Sequence, residues 1–215
     1  MVQSARGARE GLKLASSHFT GMGRVAACLV VLVVGATAPL APAAHEAATS
    51  PTVLDVGDSL SVGTSRYLHA KLRPYRVVRI HEVGLHAYDA AAIVADRAGA
   101  LPPVVVVSAG TNDDPRIVGG FWRSVRRVLT MAGPGRCVVW PTIVRPEAVG
   151  ASYGGLNAAL ARLAARHRNL VLVDWVGLVR RNPSWLAPDG VHVSAAGYRA
   201  RANAIAAAVR TRCPV

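Results

Sequence analysis

Three side chains in this sequence are of the types that nucleophilic acyl chemistry requires. Ser59 stands in LDVGDSLSVG, residues 54–63, where an apolar run breaks off at Gly-Asp-Ser and a helical pattern begins. A serine hydroxyl is a poor nucleophile at neutral pH and needs a neighbouring base. His192, in PDGVHVS, is the best candidate base, because imidazole takes up and returns a proton near neutrality. Asp189 lies three residues earlier on a Gly-containing loop, within reach of the far ring nitrogen, where a carboxylate fixes one tautomer. Each residue also has a plainer reading. A serine at a strand-to-helix turn can be a helix cap, and Asp189 with His192 can be the solvated entry to a helix.

The same chemistry needs donors aimed at developing negative charge. Three are available: the Ser59 N–H at a helix start, the Gly84 N–H after the second apolar run, and the Asn112 side-chain amide in SAGTNDDP. Read alone, Gly84 fits a simple turn and Asn112 an Asx-turn. His86 lies near the same edge as a substrate-contact candidate, whereas His69, His81 and His167 fall within predicted elements as surface or core residues. Asp113, Asp114, Asp189 and His192 match no standard metal-ligand spacing. No phosphate-binding or dinucleotide glycine fingerprint follows the first strand. Neither a metal nor a cofactor is expected.

The elements that must position these residues alternate regularly. Strands are predicted at 52–56, 75–81, 103–108, 136–142 and 170–175, and helices near 60–72, 87–98, 116–132, 152–168 and 194–211. Segments 143–151 and 176–190 read as loops. Runs such as VVVV, apolar at every position, indicate strands buried on both faces, as in parallel sheets. Repeated strand–helix alternation predicts βαβ units and an α/β fold, a three-layer α/β/α sandwich on a five-stranded parallel sheet. Ligands of such sheets gather at the carboxyl ends of the strands, where Ser59, Gly84, Asn112, Asp189 and His192 all fall.

Residues 1–44 read as an address and not as fold. Arg6, Arg9, Lys13 and Arg24 precede the apolar stretch VAACLVVLVVGATA, and PLAPAA follows with small residues at A-x-A spacing, the pattern of a secretory signal peptide. The stretch is short for a span of about 20 residues, although an uncleaved anchor is the alternative. The domain is expected over 45–215. Removing 1–44 takes away Cys28 and leaves Cys137 and Cys213, an even count that permits a disulfide in an exported protein, with two free thiols as the alternative. It also takes away four basic residues and one acidic residue, so the formal charge falls from +13 to +10. The arginines are scattered over predicted helices with no basic run interleaved with aromatics, which argues for solvated helix faces and against a nucleic-acid partner. Loose adhesion to an anionic cell envelope is the partner reading that this charge supports.

GDSL at 57–60, Gly84, GTND at 110–113 and DGVH at 189–192, in that order and each after its own predicted strand, resemble the four blocks of the SGNH (GDSL) hydrolases. The likeness spans roughly 51–211, and the second block, a single glycine, is its least specific part. The resemblance implies a flavodoxin-like α/β/α fold and serine esterase chemistry without a metal. It casts Ser59 as nucleophile, His192 as base, Asp189 as its orienter, and Ser59 N–H, Gly84 N–H and Asn112 as the oxyanion hole.

No lid-sized insertion is visible, so short acyl or acetyl groups on a carbohydrate or small molecule are the expected substrates. Trp122, Trp140, Trp175 and Trp185 are candidates for sugar- or acyl-facing aromatics, with core packing as the alternative. Similar domains occur attached to membrane acyltransferases, so acyl transfer to an envelope glycan is the enzymatic alternative. A catalytically inactive glycan-binding module is the non-enzymatic one. A monomer is expected.

Overall fold

The computed structural model describes residues 50–213. The signal-peptide segment, Cys28 and the start of the predicted domain lie outside the described residues. Five strands, β1 (Thr52–Gly57), β2 (Arg76–His81), β3 (Val104–Ser108), β4 (Cys137–Pro141) and β5 (Leu170–Val173), form one sheet in the order β2-β1-β3-β4-β5. Every pairing is parallel. Among the described residues six α-helices accompany it: α1 (Ser59–Lys71), α2 (Ala87–Ala95), α3 (Val118–Ala132), α4 (Gly154–Ala164), α5 (Trp175–Arg181) and α6 (Ala195–Arg212).

The valine run shows why the sheet has two covered faces. Val105 and Val107 of β3 join Leu54, Val56, Val138 and Trp140 in the core beneath α2, α3 and α4. Val104 and Val106 point the other way, into a core with Val139, Val171, Leu68, Ile205 and Val209 under α1 and α6. Side chains alternate along a strand, so a central strand with helices on both sides must be apolar at each position. The chain reverses direction across the sheet at β1, which has β2 on one side and β3 on the other. The loops after β1 and β3 therefore diverge and leave a crevice at their carboxyl ends.

Three expectations need correction. Residues 176–190 are not a plain loop: they hold most of α5 and a 3₁₀ turn at Pro183–Trp185. β5 ends at Val173, before the predicted 175, because Asp174 turns the chain and its carboxylate accepts from Gly177 N at 2.8 Å as a helix cap. Trp140 and Trp175 are fully buried, so they belong to the core and not to a substrate surface. Trp185 stacks on Trp175 with centroids 6.1 Å apart, and Trp122 lies under the Arg126 guanidinium.

Cys137 opens β4 and Cys213 caps α6, with their sulfurs bonded and Cα atoms 5.5 Å apart across 76 residues. Closing a loop of that size removes chain entropy from the unfolded state. Cys213→Ser is expected to cost about 2–5 kcal/mol of stability. Urea titration with and without a phosphine reductant tests this. The reductant should lower the wild-type midpoint and leave the variant unchanged, whereas free thiols at Cys137 and Cys213 in the unreduced protein would refute the bond.

Candidate functional site

Gly57 ends β1 in a space that admits no side chain. A Cβ there would lie 2.0 Å from Ser61 Oγ and 2.9 Å from the Ser108 carbonyl, so the strand can turn into α1 only with glycine. Asp58, and not Ser59, is the helix cap: its Oδ1 accepts from Leu60 N at 3.0 Å. Ser59 is thus the first helical residue, and its hydroxyl is released from capping. Its N–H belongs to the first turn, which has no carbonyl one turn back to receive it.

The loop bearing Asp189 and His192 is fixed at both ends. Ala187 N donates to His192 O at 2.8 Å, Ser194 N donates to Trp185 O at 2.8 Å, and Ser194 Oγ caps α6. Gly190, at φ +67°, supplies the left-handed turn between them. Asp189 Oδ1 accepts from the N–H groups of Val191 and His192, both at 2.9 Å. Its Oδ2 lies 2.6 Å from His192 Nδ1, and His192 Nε2 lies 2.9 Å from Ser59 Oγ. An ionised carboxylate can only accept, so Nδ1 carries the proton and Nε2 is left to accept from the serine hydroxyl. These three hydrogen bonds to Asp189, the His192 contact foremost, hold its carboxyl well below the usual range, at about 2. Residues 133 positions apart are thereby joined in one line of hydrogen bonds.

Asn112 lines the same cleft as Ser59 and His192, a cavity of about 370 Å³. Its Nδ2 donates to Leu85 O at 3.2 Å. Arg145, from the loop after β4, donates to Thr111 O at 2.5 Å and approaches Asn112 Oδ1 at 3.4 Å, fixing which way the amide faces. Nothing in the sequence marked Arg145, because its partners sit on another loop. Gly84 lies in the exposed turn between β2 and α2, at φ +85°. The Leu85 contact joins that turn to the Asn112 loop. Asp113 strengthens the joint: its Oδ2 accepts from Ala87 N at 2.9 Å, and burial pushes its carboxyl up. Asp114 is occupied by Arg116, so neither carboxylate joins Asp189 and His192. His86 stacks on Tyr88 beside this joint, with ring centroids 5.2 Å apart.

Next to Ser59 in the chain, Asp58 carries a buried carboxyl that feels the charge of a second buried group, Arg201, with no ion pair between them among the described residues. Asp58 is fully buried and Arg201, on α6, is 2% exposed, which corrects the expectation of a solvated helix face at this one arginine, while Arg199, Arg210 and Arg212 of the same helix are exposed. Arg201 donates to Ser108 Oγ and lies over the Trp175 ring at 5.3 Å. Among the described residues, Asp58 Oδ2 and Arg201 Nε and Nη1 have no hydrogen-bond partner. Burial raises the Asp58 carboxyl while the Arg201 charge opposes the shift. A carboxylate can take a proton to escape burial, but a guanidinium cannot. Asp58→Asn keeps the cap and strands the guanidinium, so it is expected to lose about 3 kcal/mol, largely recovered in Asp58→Asn/Arg201→Met. Denaturant midpoints across pH check this. A raised carboxyl stabilises the fold as pH falls through its folded value and loses that contribution as pH rises, and the Asn variant should lack this dependence.

No protein-family model and no curated protein matches the sequence. Solved structures do match. The C-terminal catalytic domain of peptidoglycan O-acetyltransferase A from Streptococcus pneumoniae is similar at TM-score 0.63 and 22% identity, over 76% of this chain and 94% of that one. A lipolytic G-D-S-L family protein from Veillonella parvula matches at TM-score 0.61 and 16% identity, over 76% and 99%. A family 3 carbohydrate esterase from Clostridium thermocellum matches at TM-score 0.57 and 16% identity, over 72% and 92%. Sheet order, helix placement and these likenesses agree: the chain has the SGNH hydrolase fold.

Proposed function

We propose that the protein is a serine esterase that removes short acyl groups, acetyl above all, from a carbohydrate or small-molecule alcohol. The observation that carries this reading is the line from Ser59 Oγ through His192 to Asp189, at 2.9 and 2.6 Å. In the first half-reaction Ser59 Oγ attacks the ester carbonyl as its proton passes to His192 Nε2. The carbonyl π electrons move onto oxygen, which Ser59 N–H, Gly84 N–H and the Asn112 amide stabilise. The tetrahedral species collapses, the C–O bond to the alcohol breaks, and His192 returns the proton to the departing oxygen. Water then repeats the sequence on the acyl-serine and releases the acid. Asp189 keeps the imidazole in the tautomer that accepts at Nε2. Arg145 holds the Asn112 carbonyl aside so that its NH₂ group serves Leu85 and the cleft.

The open cleft of about 370 Å³, shared by Arg145, Glu147, Asp189 and His192, favours a small acyl group over a long apolar chain. The N-terminal pattern supports export, and export suits a substrate in the cell envelope. A second reading, acyl transfer to a glycan hydroxyl, is supported by the likeness to the peptidoglycan O-acetyltransferase domain. It differs only in which hydroxyl attacks the acyl-serine.

The test is turnover of p-nitrophenyl acetate together with labelling by a fluorophosphonate. Burst release of p-nitrophenol and a single label on Ser59 are expected. An unlabelled, inert protein would leave only a glycan-binding module. Product analysis with chitooligosaccharides present separates transfer, which gives acetylated sugar, from hydrolysis, which gives acetate.

A further inference from the structure

A groove of about 490 Å³ runs between α2 and α3, beside the joint that carries Gly84 and Asn112. Asn112 lines the reaction cleft and the next residue, Asp113, lines the groove, so consecutive residues of one loop face the two spaces. The groove wall on α3 is a single helix face: Ile117 precedes it, then Gly120, Arg123, Ser124 and Arg127 recur at helical spacing. Gly120 and Ser124 are small, which opens space between the larger side chains.

Three features define what fits. Tyr88, 61% exposed, stands on the opposite wall against His86, and Ile117, 58% exposed, lies across from it. Such a flat aromatic and apolar surface in water is suited to the apolar face of a sugar ring. The groove's carboxylates are already used, Asp114 by Arg116 and Asp113 by Ala87 N and His86. The guanidiniums of Arg123 and Arg127 are exposed and form no ion pair among the described residues. Free charge in the groove is therefore positive, and arginine matches a carboxylate in a bidentate fork. A long acyl chain would leave these charges unmatched.

We propose that this groove binds a glycan strand bearing carboxylates, with a sugar ring on Tyr88 and its acid group on Arg123 and Arg127. It rests on the esterase reading in that the strand delivers an O-acyl group to Ser59. The substrate class is then an O-acylated acidic polysaccharide.

Calorimetry on the full chain with tetragalacturonate and with neutral galactotetraose tests the groove independently of catalysis. Tetragalacturonate should bind at least about tenfold more tightly than galactotetraose. Arg123→Gln/Arg127→Gln and Tyr88→Ala should each weaken tetragalacturonate binding roughly tenfold. Both variants should leave p-nitrophenyl acetate turnover within about twofold, because that ester is too small to reach the groove. Equal binding of the two tetramers, or unchanged binding in Tyr88→Ala, overturns the proposal. So does inorganic polyphosphate that binds as tightly to Tyr88→Ala as tetragalacturonate binds to the unaltered chain, since charge alone would then explain the site. A protein that binds tetragalacturonate through these residues yet never turns over p-nitrophenyl acetate would sink the esterase reading and leave the groove standing.

Discussion

Ser59→Ala is expected to lower kcat on p-nitrophenyl acetate by about 10⁴-fold or more, and His192→Ala by a similar factor. The double variant should be little worse than either single one. A hydroxyl without a base is not nucleophilic, and a base without its hydroxyl has nothing to activate, so removing either partner of the 2.9 Å contact removes the whole function. Residual turnover above the rate in water should persist, because the candidate oxyanion donors and the cleft survive. Stability should change little in Ser59→Ala, since Asp58 supplies the cap of α1. Burst kinetics and a denaturant titration on the same samples separate the outcomes. Variants that keep near-native rates would remove Ser59 and His192 from the chemistry, and variants that simply unfold would show it in the titration.

What was legible in the sequence follows from range. The VVVV run of β3 carried its own burial on both faces, and the alternation of such runs with helical patterns specified the parallel sheet. That Ser59, Asn112, Asp189 and His192 would line one cleft was legible because a parallel sheet delivers every strand's carboxyl end to one edge. What the alternation could not give was local punctuation inside a polar stretch. α5 is only seven residues long, and its signal was one capping aspartate, Asp174, before a tryptophan that looked like strand. Arg201 was legible in principle: it falls one turn before Ile205 and beside Ala202, on the buried face of α6. Arginine's usual preference for water points the other way from that periodicity. Arg145 and Tyr88 gave no such signal. The contacts of Arg145 run between loops that follow different strands, and Tyr88 matters through the groove wall opposite it, so neither local pattern nor spacing encodes them.

Asp189→Asn is expected to reduce kcat by about 10³–10⁴-fold while leaving the loop in place, and the reason is a conflict of donors. In the native site one carboxylate oxygen accepts from two backbone N–H groups and the other from His192 Nδ1. An asparagine has only one accepting oxygen. If it serves the two amides, its NH₂ group faces Nδ1, and the ring must shift its proton to Nε2 to accept there. Nε2 then donates toward Ser59 and cannot take the hydroxyl proton. If the amide flips, the NH₂ group faces two N–H donors and the loop loses the contacts that aim it. The side chains of Asp189 and His192 are 49% and 44% exposed, so water can partly replace the lost partner, which places the expected loss at the lower end of that range. Because Asp189 is held at about 2, it is ionised throughout the working range. The native pH–rate profile should therefore show no break from this carboxylate near its ordinary value of about 4. Measuring kcat against pH for both proteins decides the matter. A native break near 4 that disappears in Asp189→Asn would mean that the carboxylate titrates at its ordinary value, and that the hydrogen bonds from His192 and the two amides do not hold it ionised.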